Sequence, residues 1–165
     1  MNRKRCVVSI QTTTNEAAET YGLSKLGART PPRFDSPDAA IPEAFPNRNP
    51  ERDYVVVFEY PEFTSLCPVT GQPDYGAIRV TYVPDTRCVE SKSFKLYMTA
   101  FRNSAAFMEE LTNRIADDLI LLLKPRRMTV EGRFNARGGT AITVRVEHLD
   151  RELSPERQDR LSRLW

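Results

Sequence analysis

Two periodicities divide the chain. Tyr54-Val55-Val56-Val57-Phe58-Glu59-Tyr60 is dense in β-branched and aromatic residues between Arg52-Asp53 and Pro61, and it predicts a strand. In residues 77–83, Ile78, Val80 and Tyr82 alternate with Arg79 and Thr81, the period of two that marks a half-buried strand. After a Pro84-Asp85-Thr86 turn, residues 88–98 are expected to form a third extended segment. Its two faces would carry Glu90, Lys92, Phe94 and Leu96 on one side and Ser91, Ser93, Lys95 and Tyr97 on the other. Neither face is cleanly apolar, so the segment is either a surface shared with a ligand or partner, a partly irregular stretch, or an exposed edge guarded by lysines.

From Ser104 the period lengthens. Phe107, Leu111, Ile115, Leu119 and Leu122 recur every three or four residues, with Asn103 or Ser104 as the expected cap and Lys124-Pro125 as the stop, which predicts the main core helix. Residues 128–134 and 141–147 read as two more strands, joined through Asn135-Ala136-Arg137-Gly138-Gly139, whose paired glycines suit a tight hairpin. Ser154-Pro155-Glu156 opens a short terminal helix carrying Leu161 and Leu164. Upstream, residues 15–52 are rich in Pro, Gly, Asn and charge, with apolar spots at Tyr21, Leu23, Leu26, Phe34, Ile41 and Phe45 that could pin an irregular arm onto a body. The expected class is α+β: an antiparallel sheet with two main helices, divided into an N-terminal arm (1–52) and a single domain (53–165).

Bulk composition narrows the functions. The 165 residues are 40% hydrophobic, enough for one ordinary core, and 24 basic against 22 acidic side chains leave a net charge of +2, too little for polyanion binding by the whole molecule. The basic group Lys124, Arg126, Arg127, Arg133 and Arg137 has little aromatic interleaving, so nucleic acid is not an expected partner. No apolar run is long enough for a bilayer or a secretory leader, so no membrane association is expected. Cys6, Cys67 and Cys88 are too few and scattered for a disulfide framework, which suggests a reducing, cytoplasmic setting. With His148 the only histidine, no metal site is expected.

Cys67 is the residue most open to a chemical reading. It lies in Glu62-Phe63-Thr64-Ser65-Leu66-Cys67-Pro68-Val69-Thr70-Gly71-Gln72-Pro73-Asp74, a turn-rich stretch where a thiol has little packing to do and a carboxylate follows seven residues on. On its own, a buried inert cysteine is the commoner state. Together with Glu90-Ser91-Lys92-Ser93-Phe94-Lys95-Leu96-Tyr97 and Phe101-Arg102-Asn103, however, this stretch resembles the short, single-module NADPH-dependent 7-cyano-7-deazaguanine reductases. The resemblance runs over about residues 26–140 and includes Phe45-Pro46-Asn47-Arg48 through Tyr54 and Phe134-Asn135-Ala136-Arg137-Gly138-Gly139.

That resemblance implies a tunnelling fold, also seen in GTP cyclohydrolases, assembled into a homo-oligomeric ring. It implies reduction of the nitrile of 7-cyano-7-deazaguanine (preQ0) to the aminomethyl group of preQ1 at the expense of NADPH, within queuosine biosynthesis. Cys67 matches the family's nucleophile, which would form a thioimide, and Asp74 its proton donor. Glu109 matches the base-binding glutamate, with Val89, Glu90 and Ser91 on the other side of the pocket. Lys92 and Lys95 are the expected holders of NADPH phosphates, and Arg137, beside Gly138-Gly139, is a further candidate because glycines let backbone amides approach a phosphate closely. Met108 stands where the family pattern has histidine, and a thioether cannot donate the hydrogen bond an imidazole can. Two other readings remain open: a cyclohydrolase-like or pterin-binding relative, and a purine-binding module without turnover.

Overall fold

The computed structural model describes residues 18–28, 30–32 and 37–165. The basic start Met1 to Arg5, Cys6 and Phe34 lie outside the described residues. Among the described residues, helical residues 18–21 are followed by six strands and three further helices in the order β1 (Ala44–Pro46), β2 (Val56–Leu66), β3 (Pro73–Val83), β4 (Arg87–Val89), α1 (Ser91–Ala100), α2 (Met108–Leu123), β5 (Arg127–Arg137), β6 (Thr140–Leu149) and α3 (Pro155–Ser162). Strands β2, β3, β5 and β6 form one antiparallel sheet in that spatial order, and β1 pairs with β4 in a separate two-stranded ladder.

The strand expected to stop at Pro61 continues to Leu66. Proline has no N–H for a ladder, and the register between β2 and β3 shifts between Tyr60 and Phe63, so Pro61 and Glu62 fall in a bulge that the strand survives. Past the bulge Phe63 and Ser65 turn inward, and the strand ends at Leu66, one residue before Cys67. The β5–β6 hairpin is tighter than expected. Strand β5 runs on to Arg137, which pairs with Thr140, and only Gly138 (φ 58°) and Gly139 (φ 84°) make the turn. A two-residue turn with positive φ at both positions is where glycine carries no steric cost.

The third extended segment is the expectation that the structure overturns. Only Arg87–Val89 is strand, and residues from Ser91 onward form α1. The mixed faces arose from reading a helix at a period of two: at helical spacing Ser93, Phe94, Tyr97, Met98 and Ala100 share one buried side, and Lys92 and Lys95 do not. Glu90 starts the helix, accepting from the backbone N–H groups of Lys92 (2.8 Å) and Ser93 (2.6 Å). Helix α2 also begins later than expected, at Met108, with Phe107 at its N-cap and no side-chain cap bond, while Asn103 and Ser104 remain in the connection. It ends as expected at Lys124, whose left-handed φ of 45° closes the last turn before Pro125.

Both main helices lie on one face of the sheet. Ile78, Val80 and Tyr82 of β3 and Met128, Val130 and Phe134 of β5 meet Phe94, Tyr97 and Met98 of α1 and Leu111, Ile115, Leu119 and Leu123 of α2. The opposite face carries a row of alternating charge in register across all four strands: Glu59, Arg79, Glu131 and Arg145. Gly76 sets the spacing of β3 and β5 near the thiol-bearing end, because a Cβ there would fall 2.4 Å from the backbone oxygen of Arg133. The outer edges of β2 and β6 pair with no strand among the described residues. No helix among them is long and apolar enough to cross a membrane.

Candidate active site

Cys67 is the first residue after β2 and opens the turn into β3. Its N–H donates to the Gln72 oxygen (2.8 Å) and its carbonyl accepts from Gly71 N–H (2.9 Å), so the loop folds back on itself and Asp74 enters β3 opposite Ser65. The carboxylate of Asp74 is nearly buried. Thus the seven-residue separation in sequence is closed by a hairpin, and both groups line one cavity of about 280 Å³. Met108 and Glu109 reach the same cavity from the first turn of α2. Asn135 and Arg137 from β5, and Thr140 and Ile142 from β6, complete its far wall.

Arg137 makes the main polar contacts there. Its Nη1 donates to Asp74 Oδ1 at 2.6 Å and its Nη2 to Gln72 Oε1 at 3.1 Å. The Cys67 thiol is half-exposed, and its pKa is lowered to about 6. The Thr70 hydroxyl donating to the sulfur is the largest cause, followed by the backbone N–H groups of Thr70 and Val69 and then the guanidinium of Arg137. Turn amides aimed at one atom form a small anion cradle, and here the atom is a nucleophile. At neutral pH the sulfur is therefore largely thiolate, the reactive form.

The remaining expected site residues sit elsewhere in this chain. Val89, Glu90 and Ser91 line a different cavity of about 580 Å³, walled by Phe45, Tyr54, Val56, Phe58 and Tyr82 and roofed by Tyr21, Leu23 and Leu26 from the N-terminal segment. Lys92 follows on α1, where its Nζ donates to the carbonyl oxygens of Lys25 (2.7 Å) and Ala28. Lys95 is exposed; its carbonyl accepts from the Thr99 hydroxyl (2.8 Å), and its ammonium makes no hydrogen bond or ion pair among the described residues. A single chain thus gathers Cys67, Asp74, Met108, Glu109 and Arg137, and holds Val89, Glu90, Ser91 and Lys92 apart from them.

Sequence reading missed Thr70, Gln72 and Asn135. Thr70 had a local signal, since a hydroxyl three residues past a cysteine in a turn can reach back to it. Asn135 lay in a family-like stretch but had no role assigned; the pairing of β3 with β5 brings it beside Cys67. Among the described residues no group of three or more His, Cys, Asp or Glu is placed to hold a metal ion.

Comparison with known proteins narrows the choice. A family model described as QueF-like protein matches residues 73–153. The NADPH-dependent 7-cyano-7-deazaguanine reductase of Nitratidesulfovibrio vulgaris strain Hildenborough is 50% identical over 149 residues, 90% of either chain. That of Desulfovibrio desulfuricans is 51% identical over 152 residues, covering 92% of this chain and 90% of the relative. This chain belongs to the NADPH-dependent 7-cyano-7-deazaguanine reductase family.

A third reductase, from Magnetococcus marinus, is 52% identical over 71% of this chain. In three dimensions the chain is similar to the apo crystal structure of an archaeosine synthase QueF-like protein. That match has a TM-score of 0.53 at 20% identity and covers 56% of this chain and 91% of the other. It speaks to the shared α+β fold.

Proposed function

We propose that this chain reduces the nitrile of 7-cyano-7-deazaguanine to the aminomethyl group through a covalent thioimide on Cys67. As a member of its family it is an NADPH-dependent oxidoreductase. The observation that carries the covalent reading is one small cavity lined by a low-pKa thiol, the buried carboxyl group of Asp74 and the exposed one of Glu109 at a helix start. A nitrile carbon is a poor hydride acceptor. Addition of the Cys67 thiolate forms a C–S bond and breaks one C≡N π bond, and the nitrile nitrogen takes its proton from solvent, relayed through Asp74. The resulting C=N bond is the acceptor that hydride chemistry needs.

Glu109 is the group suited to the base. A deazaguanine presents an N–H and an exocyclic amine side by side, and a carboxylate accepts both in parallel. The cavity has the volume for one small bicyclic ligand and not for a dinucleotide.

The cations present suit a phosphate-bearing cofactor. Lys95 is exposed, the ammonium of Lys92 uses two of its three donors, and the Gly138-Gly139 turn is open on its Cβ side. Lys92, Lys95 and the turn beside Arg137 would hold NADPH, which supplies the hydride; the four-electron reduction of a nitrile to an amine takes two of them.

Completion of the site requires a second copy. Val89, Glu90 and Ser91 face a separate cavity, and β2 and β6 have outer edges that pair with no strand among the described residues, through which antiparallel sheets can continue from copy to copy. In a closed ring, the Val89–Ser91 surface of one copy would face the Cys67 cavity of the next, with residues 1–52 acting as an arm around the 53–165 domain. Incubation with 7-cyano-7-deazaguanine alone, without NADPH, tests the covalent step by intact mass. A shift of one substrate mass located on Cys67 is expected; turnover by Cys67→Ala would refute the thioimide.

A further inference from the structure

We infer that Arg137 is a positioning residue of the thiol and acid centre, tying Cys67 and Asp74 to the opposite hairpin. The role expected from sequence was the grip on a cofactor phosphate. The geometry points inward instead: the guanidinium donates to Asp74 at 2.6 Å and to Gln72 at 3.1 Å, and only 38% of its side chain is exposed. Gln72 is also the residue whose carbonyl takes the Cys67 N–H, so one side chain fixes the acid and the far end of the thiol's own turn.

Charge balance gives the same answer. Among the described residues lining this cavity, the charged groups are Asp74 from β3, Glu109 from α2 and Arg137 from β5, besides the thiol itself. Arg137 is the single cation facing two carboxylates and a sulfur that becomes anionic. Without it, forming a thiolate beside two carboxylates is opposed by both of them. In keeping with this, the guanidinium pKa is raised, first by its contact with Cys67. The placement also depends on topology: Arg137 closes β5 at the glycine turn, directly across from the β2–β3 turn.

The inference rests on the thioimide reading, and its test separates the two. The rate of Cys67 alkylation by iodoacetamide is measured against pH in the full-length protein, alongside adduct formation with 7-cyano-7-deazaguanine in the absence of NADPH. For Arg137→Gln the thiol midpoint is expected to rise by roughly one unit, the lower end for loss of an adjacent opposite charge, and adduct formation at pH 6.5 to slow by about fivefold to tenfold. Arg137→Lys keeps the charge and loses the two-pronged grip, so it should recover part of the midpoint shift. Arg133→Gln removes a charge from the same strand outside the cavity and should leave the midpoint in place.

An unmoved midpoint and adduct rate in folded Arg137→Gln, with KM for NADPH raised, would overturn the inference and return Arg137 to the cofactor. Failure of the thioimide reading looks different: the unaltered protein would show a low thiol midpoint and no adduct at all.

Discussion

The chain has two free thiols among its described residues, one in each of its two informative cavities, and they differ in exposure, backbone setting and neighbours. Cys67 is half-exposed on a turn, receives N–H and O–H donors, and faces carboxylates and a guanidinium. Cys88 is buried in the β1–β4 ladder, pairs with Phe45, and has the Tyr54 hydroxyl at 3.4 Å in a cavity walled mainly by aromatic and aliphatic side chains. Sequence alone presents both as lone cysteines. The difference lies in backbone: a turn leaves N–H groups free to point at a sulfur, whereas a strand spends them on its partner.

The largest effect should come from exchanging the two thiols' fates. Cys67→Ala is expected to lower turnover on the order of a thousandfold or more, since covalent activation is lost outright. Cys88→Ala removes a packed side chain from the other cavity and should keep adduct formation with substrate alone, at a modest cost in stability of about 1 kcal/mol. Intact mass of both variants after incubation with 7-cyano-7-deazaguanine reads the contrast directly.

The second prediction asks whether the two cavities meet between copies. Glu90→Gln keeps an acceptor for the α1 cap but alters the Val89–Ser91 surface, and it is expected to lose most activity. If each site takes Cys67 from one copy and Glu90 from its neighbour, co-refolded equal mixtures of Cys67→Ala and Glu90→Gln have about one intact site in four, by random assortment in a closed ring. Recovery near a quarter of normal activity supports a shared site. No recovery in mixed rings, verified by mass, would place the two cavities in separate roles.

Parts of this comparison were legible in advance, for physical reasons that differ by residue. Strands β3, β5 and β6, the α2 stop at Lys124-Pro125 and the Ser154 cap follow from local patterns that short-range sterics enforce. Residues 88–98 misled because a helix with polar residues on its outer face and a buried Ser93 has no clean period of two, and the strongest local cue, Glu90 as an N-cap, is an acidic residue type less typical of that position than aspartate or serine. Cys67 and Asp74 were legible through the family motif. Their union with Arg137 and Asn135 was not, because it depends on the pairing of β3 with β5 across an intervening helical segment.

A third prediction sharpens the electrostatic side. Thr70→Val removes the largest single cause of the low Cys67 pKa while keeping the side chain's shape. The thiol midpoint should rise from about 6 toward its ordinary range. The thiolate fraction therefore falls at pH 6 to 7 and is regained as pH climbs past the new midpoint. Alkylation near pH 6.5 should slow by roughly threefold to tenfold, with the two proteins converging above about pH 9. A variant slowed equally at every pH would mean that Thr70 shapes the turn without acting on the sulfur.

Met108 offers the smallest and most discriminating change. It is the first residue of α2, partly buried against the core, and it lines the thiol cavity next to Glu109. Its backbone oxygen takes the Thr112 hydroxyl at 2.8 Å, a bond that survives side-chain replacement. The thioether can pack against a flat base but cannot donate to it. Met108→His restores the residue type of the family pattern and puts an N–H donor beside Asp74 and Glu109. Because Cys67, Asp74 and Glu109 are already gathered without it, the expected gain or loss in kcat/KM is within about threefold at pH 7, roughly the worth of half a kcal/mol in the transition state. The effect should depend on pH between 6 and 8, where an imidazole titrates and the present side chain does not. A rise of a hundredfold would instead show that this chain's cavity lacks a proton-handling group, and that Asp74 alone does not suffice.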